Sequence, residues 1–388
     1  MAAEVFSPPT KGRSMKKLLI ASAVSAAFAA PTLALAQAAR APTLSQVLDA
    51  SGLNVSGYLD AGYSYANRNV QTPSTTRVFD AQNNSFALHQ FGLQVAKQPS
   101  RGFGGVVNIT AGSDAQVIQA FPDASGSMFD ITQAYGQYAS GDLTLMAGKF
   151  VTLAGSEAIW SPSNNNFSRS ILFGAIPFTH TGVRAGYAVS NTVTLYGGVN
   201  NGWDQLTDAN KGKTLELGAS IIPIKPLTIN VTGYFGQERA TPPGAPPAGG
   251  VAQDQRQLLN VVATYTINNR MSAGGEVLSV SQDRAAGSAK YNGVAGYFTY
   301  NLNREWRLAA RAEMFDDKNG FHFSPAGFTT SDTKYNEITA TLAYLPNSSV
   351  ELRGEIRGER ANNAVFINSD GTTAKSMQSL GFQGIYKF

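Results

Sequence analysis

The 388-residue chain has no cysteine and three histidines, and only 14% of it is charged. Without thiols there can be no disulfide scaffold, thiolate zinc centre or cysteine nucleophile. His89, His180 and His322 are too dispersed for a transition-metal site, so no metal and no cofactor is expected. An excess of one charge is missing too. Most of the formal net charge of +4 lies in Lys11, Arg13, Lys16 and Lys17, and from Gln37 onward 26 basic residues face 25 acidic ones. Nucleic acid is therefore not an expected partner. Beyond residue 36 no apolar run reaches the roughly 18 residues that a spanning helix needs. With 21 Phe and 15 Tyr, however, the chain is too apolar to be disordered.

The first residues read as an address. Met15-Lys16-Lys17, an apolar run from Leu18 to Leu35 and the small-residue site Ala34-Leu35-Ala36 fit a secretory signal peptide over 15–36, cut after Ala36 or Ala38. Residues 1–14 form an upstream extension. Residues 37–52 are a short periplasmic segment, with a turn or two of helix at 43–50, and the barrel described next occupies 53–388.

From residue 53 on, apolar and polar residues alternate, the sign of strands whose faces meet different surroundings. Leu59, Ala61 and Tyr65 fall on one face, Asp60 and Ser64 on the other. Sixteen such segments can be counted. Tight joins at Pro99-Ser100-Arg101, Ser140-Gly141, Ser190-Asn191, Pro223 to Pro226, Asn268-Asn269, Asn303-Arg304 and Pro346 to Ser348 alternate with long loops. No blade repeat marks a propeller. A soluble sandwich would also alternate, but it would not need strands this long, aromatics at strand ends (Tyr63, Tyr187, Tyr234, Trp306, Tyr344, Tyr386) and a C-terminal Phe388. The expected fold is all-β: a transmembrane up-and-down antiparallel barrel of about 16 strands, with short periplasmic turns and long extracellular loops.

In such a barrel the polar face looks into the lumen, because a charge turned to lipid costs several kcal/mol. Parity puts Arg307, Arg311 and Glu313 inward on one strand, and Glu351, Arg353, Glu355, Arg357 and Glu359 inward on another. Arg184, Glu216 and Glu337 are further pore-lining candidates, with His180, Tyr196 and Glu276, although the face of Glu276 is ambiguous. Two roles compete for these charges: cross-strand ion pairs that stiffen the wall, or a lining whose field selects solutes. The longest loop, 151–178, holds Glu157, Trp160, Asn166, Ser168 and Arg169, and loops of this length are usually functional. It is either a constriction or an external lid.

Gln133-Ala134-Tyr135, Ala147-Gly148-Lys149-Phe150, Gly155-Ser156-Glu157, Asn166-Phe167-Ser168-Arg169-Ser170 and Pro177 to Arg184 resemble the core pattern of the beta-barrel porin-2 family, the OmpL-like porins. The start, Val55 to Ala61, and the closing strand are similar too. The resemblance implies an outer-membrane channel for passive diffusion of small hydrophilic solutes or ions, surrounded by outer-membrane lipid and, by analogy with sixteen-stranded porins, a homotrimer. General porins fold the loop in this position into the barrel, which would make Glu157 and Arg169 facing charges at a constriction, with Asn166 and Ser168 beside them.

Two other classes stay open: a barrel adhesin or structural anchor, and more remotely a barrel hydrolase. The hydrolase would need a hydroxyl near an imidazole, for which Ser168 and Ser170 near His180, or Ser85 near His89, are the candidates. Asp316, Asp317 and Asn319 match no calcium-loop spacing. The stretch Thr241 to Pro247 is read as a stiff exposed loop.

Overall fold

A computed structural model describes residues 48, 50–70, 76–122, 126–239, 253–283, 288–318, 320–323 and 332–388. The proposed signal peptide, the Pro-rich stretch at 241–247, Asn319 and most of the expected N-terminal helix lie outside these residues; Leu48, Ala50 and Ser51 are helical.

Alternation produces strands, and turn residues set their ends. They are β1 (Asn54–Ala66), β2 (Ser85–Lys97), β3 (Arg101–Ala111), β4 (Phe129–Ser140), β5 (Leu143–Val151), β6 (Thr179–Ser190), β7 (Val193–Asn200), β8 (Thr214–Ile224) and β9 (Leu227–Arg239). There follow β10 (Gln253–Asn268), β11 (Met271–Gln282), β12 (Ala289–Asn301), β13 (Trp306–Lys318), β14 (Thr333–Tyr344), β15 (Val350–Ala361), β16 (Phe366–Ile367), β17 (Thr373–Ala374) and β18 (Ser376–Lys387). Each barrel strand pairs antiparallel with its chain neighbours, and β18 closes the cylinder between β15 and β1, for example Tyr63 opposite Phe382. Sixteen strands form the wall; β16 and β17 make a separate small hairpin in the last long loop, which the alternation did not signal. Closure removes both sheet edges and satisfies every strand's hydrogen bonding, the condition for a sheet in hydrocarbon.

The faces separate as lipid and water would require. Phe86 is 84% exposed, Phe103 81% and Ile338 67%, all on the outside. Large apolar side chains so bare, Ile338 in mid-strand and Phe86 and Phe103 near strand ends, fit a hydrocarbon surrounding. Aromatic pairs line the outer rim, such as Trp306 with Tyr344 at 4.8 Å and Phe103 with Tyr138 at 4.9 Å. Tyr234, read as such a girdle residue, instead points inward and is fully buried, where its hydroxyl finds polar partners that the rim would not supply. The expected join at Pro223 is also shorter than read: β8 continues through Pro223 to Ile224, across a register irregularity where proline's missing N–H leaves no ladder bond unmade. No helix among the described residues is long and apolar enough to cross a membrane; the strands cross it.

Candidate functional site

Antiparallel register stacks the lumenal charges of β13, β14 and β15 into rows. Glu313, Glu337 and Glu359 stand side by side, and the next row carries Arg311, Thr339 and Arg357. Like charges directly opposite repel, so the pairing runs between rows. Arg311 Nε lies 3.1 Å from Glu337 Oε2, Arg357 Nη2 lies 2.8 Å from Glu359 Oε1, and Arg353 Nε lies 2.7 Å from Glu351 Oε1. Arg307 completes the series at the turn end by pairing with Glu351. Across the barrel Arg184 Nε and Nη2 grip Glu216 at 2.5 and 2.8 Å, beneath the Phe150 ring.

The 151–178 loop leaves β5 and runs through the lumen, gathering partners from most of the wall. Near its start Leu153 N donates to Tyr234 on β9, Gly155 N to Asn260 on β10 and Ser156 N to Glu276 on β11. At a short 3-10 turn, Ser161–Ser163, Ser161 N donates to Gln90 on β2, and just before it Trp160 Nε1 donates to Asn108 on β3. Asn166 Nδ2 then reaches Thr341 on β14 at 2.7 Å, while Phe167 N and Ser168 N both donate to Glu355 on β15. Pro162 and the Asn164 to Asn166 run suit this path, since they favour turns and extended links over helix.

A second layer of bonds uses the ladder itself. Glu313 accepts from Ile171 N and Leu172 N, which open a one-turn helix at Ile171–Gly174. Arg353 donates to Asn164 O and Asn166 O, Arg357 to Arg169 O, and Arg311 to Ser168 O. Wall carboxylates therefore receive the loop's N–H groups and wall guanidiniums supply its carbonyls. Each buried charge and each orphan backbone group satisfies the other.

Two further networks brace the 151–178 loop. A bulge in β2, where His89 is the extra residue opposite the Asp60–Ala61 step of β1, shifts its parity, so the adjacent His89 and Gln90 both point inward and are buried. Gln90 joins Tyr58, Asp114 and the Ile159 carbonyl, and His89 Nδ1 lies 3.1 Å from Asp114. Strict alternation would have put one of the two outside, so the sequence carried no signal for this cluster. In the loop after β7, Asp204 accepts from Phe178 N and Thr179 N at 2.8 Å each, pinning the end of the 151–178 loop. Burial pushes its carboxyl up to about 7, although those two N–H bonds favour the charged form.

The family model described as "Putative beta-barrel porin-2, OmpL-like" matches residues 52–388. The chain belongs to this porin family. Among solved structures it is similar to the outer membrane channel DcaP of Acinetobacter baumannii, with a TM-score of 0.59 and 13% identity over 87% of this chain and 97% of that one. It is similar too to OprB of Pseudomonas putida, at 0.60 and 12% over 88% and 96%. The anion-selective porin of Comamonas acidovorans gives 0.59 and 11% over 87% and 99%. At such identities the likeness is one of fold. A search of curated proteins found no match.

The porin's lumen departs from the sequence reading at two points. Glu157 and Arg169 do not face each other across an opening. Glu157 accepts from Arg311 Nη1 at 2.8 Å and from Ser170 N. Arg169 is 1% exposed, donates to the carbonyls of Ala158, Ile159 and Phe167, and packs against the Phe79 and Phe173 rings. A lone guanidinium inside a tight loop is held by the loop's own carbonyls, because a facing charge farther off could not replace its hydration. Glu276, ambiguous by parity, faces inward and is buried. The ladder residues, finally, meet the loop backbone as well as one another, a role that neither of the two weighed readings contained. Asn166 and Ser168 are buried on the wall side of the loop.

The hydroxyls considered for catalysis are engaged elsewhere. Ser168 Oγ accepts from Arg311, Ser170 Oγ from Phe173 N, and Ser85 Oγ donates to the Phe86 carbonyl. His180 stacks on Tyr234 at 4.5 Å with Nδ1 near Gly202 O. Asp316 pairs with Lys318, and Asp317 accepts from His322 N and Phe323 N. Among the described residues no cluster of potential metal ligands occurs.

Proposed function

We infer that this porin passes small hydrophilic solutes or ions by diffusion along the lumen, and that the 151–178 loop with the β13–β15 ladder decides what passes. The observation that carries the reading is the loop's bonding to wall residues on β9 to β11, on β2 and β3 and on β15, which sets it across the lumen. Arg184, Glu216, Arg307, Arg311, Glu313, Glu337, Glu351, Arg353, Glu355 and Arg357 would line the path. Glu157, Asn166, Ser168 and Arg169 would set its width.

Export through a cleaved signal peptide at residues 15–36 fits this destination, since bacterial barrels reach the outer membrane by secretion. Assembly as a homotrimer is supported by OmpT of Vibrio cholerae, described in a trimer form, to which the chain is similar with a TM-score of 0.59 and 12% identity over 87% of this chain and 99% of that one. Planar-bilayer recording of the purified protein tests the reading. Discrete, salt-dependent conductance steps are expected. A folded barrel that never conducts, even with its loop shortened, would return the protein to the adhesin or anchor class.

A further inference from the structure

We propose that this porin rests shut, with the 151–178 loop as its gate. The inference rests on the porin reading and adds a resting state to it. Arg311, Arg353 and Arg357 are each no more than 3% exposed, and Arg184 across the barrel 6%, so no water column follows the guanidinium ladder. The loop is tied to opposite stretches of wall, to β9, β10 and β11 through Leu153, Gly155 and Ser156 and to β2 and β3 through Ser161 and Trp160. Between these ties it crosses the bore. Above the crossing Ile171 and Leu172 join Leu258, Tyr291, Phe315 and Phe321 in one apolar cluster, and a dry constriction stops ions as well as charge does. A cavity of about 330 Å³ lies on the turn side, next to Trp160, Tyr58 and Lys387. Toward the loop ends, a separate pocket beside Arg77, Phe167 and Glu355 holds only about 10 Å³.

Release of the loop would not strand the wall. Arg311 keeps Glu337, Arg357 keeps Glu359 and Arg353 keeps Glu351, while the loop's N–H and carbonyl groups exchange the wall for water. The ladder thus has two satisfied arrangements, loop docked and loop free, as a two-state element requires. The freed ladder then lines the conducting path.

Because the chain has no cysteine, the pair Asn166→Cys and Thr341→Cys supplies its sole thiols at positions whose native side chains meet at 2.7 Å. The full-length variant is folded into detergent, checked by heat-modifiable gel mobility and recorded in planar bilayers before and after treatment with a short bifunctional methanethiosulfonate reagent. Openings from a silent baseline are expected from the untreated protein, with their loss on bridging and return with dithiothreitol. Equal conductance bridged and unbridged overturns the gate and leaves the porin reading standing. If neither form conducts, nor a folded variant lacking residues 163–168, the porin reading fails and the gate with it. Should the cysteine pair not fold, Arg311→Gln decides: a longer open time supports the gate, and an unchanged one overturns it.

Discussion

Arg311 on β13 and Glu157 in the loop after β5 meet at 2.8 Å inside the barrel. The contact joins one side of the lumen to the loop that crosses it, and Arg311 also touches Glu337, Ser168 and Thr339. Removing this guanidinium leaves buried carboxylates on wall and loop without their shared partner. Arg311→Gln is expected to destabilise the barrel by about 3–5 kcal/mol. Denaturant unfolding in lipid vesicles measures the change, and a midpoint equal to wild type would refute the role.

Stability should divide along the ladder. Arg307 is the most exposed of its guanidiniums, with 15% of the side chain open, whereas Arg357 is sealed against the loop. Arg307→Gln is expected to move the reversal potential under a salt gradient toward cations, because an exposed charge acts on passing ions. Arg357→Gln, at a guanidinium that lines the path once the loop is free, should shift the reversal potential too, and should also lower stability because its bonds to Glu359 and the Arg169 carbonyl are lost. Equal stability loss in the two variants would reject the division.

Shortening the loop tests the constriction. Deleting residues 163–168 removes the Asn166, Phe167 and Ser168 ties to β14 and β15. Single-channel conductance is expected to rise; an unaltered step size would mean that ions already pass elsewhere.

The lipid face makes its own prediction. Ile338 stands outward at the middle of β14, so Ile338→Arg places a charge near mid-bilayer. The expected loss is about 2–4 kcal/mol in vesicle unfolding. A neutral effect would mean that this face does not meet hydrocarbon.

Asp204 should make loop docking sensitive to pH. Its carboxyl, ordinarily near 3.8, is raised to about 7 by burial. A folded-state value above the unfolded one means that the protonated form favours docking. That contribution is complete below about pH 4 and disappears as pH rises through about 7. Hydrogen exchange at the Phe178 and Thr179 amides, corrected for intrinsic rate, is expected to quicken across this upper range and to lose the dependence in Asp204→Asn. A persisting dependence in the variant would assign it to another group.

The wall could be read without coordinates because a strand's side chains alternate with a fixed period and turn residues mark its ends. Arg307, Arg311 and Glu313 sat on one parity and Leu308 and Met314 on the other before any partner was known. The β2 bulge shows where this logic stops. One inserted residue turned His89 and Gln90 inward together, and no local pattern announces where a register will slip. The loop was legible only as long and mixed in composition.

Alternation, tight turns and balanced charge therefore determined by themselves that this chain forms a closed cylinder with apolar side chains outside and ionic ones within, since each depends on neighbours a few residues apart. Closure of the cylinder decided the rest. It brought Glu355 within 2.7 Å of the Phe167 amide, 188 residues away in sequence, and so turned a ladder of charges into the seat of a loop. Such pairings have no sequence period, because they arise only when distant strands share one enclosed space from which water is excluded.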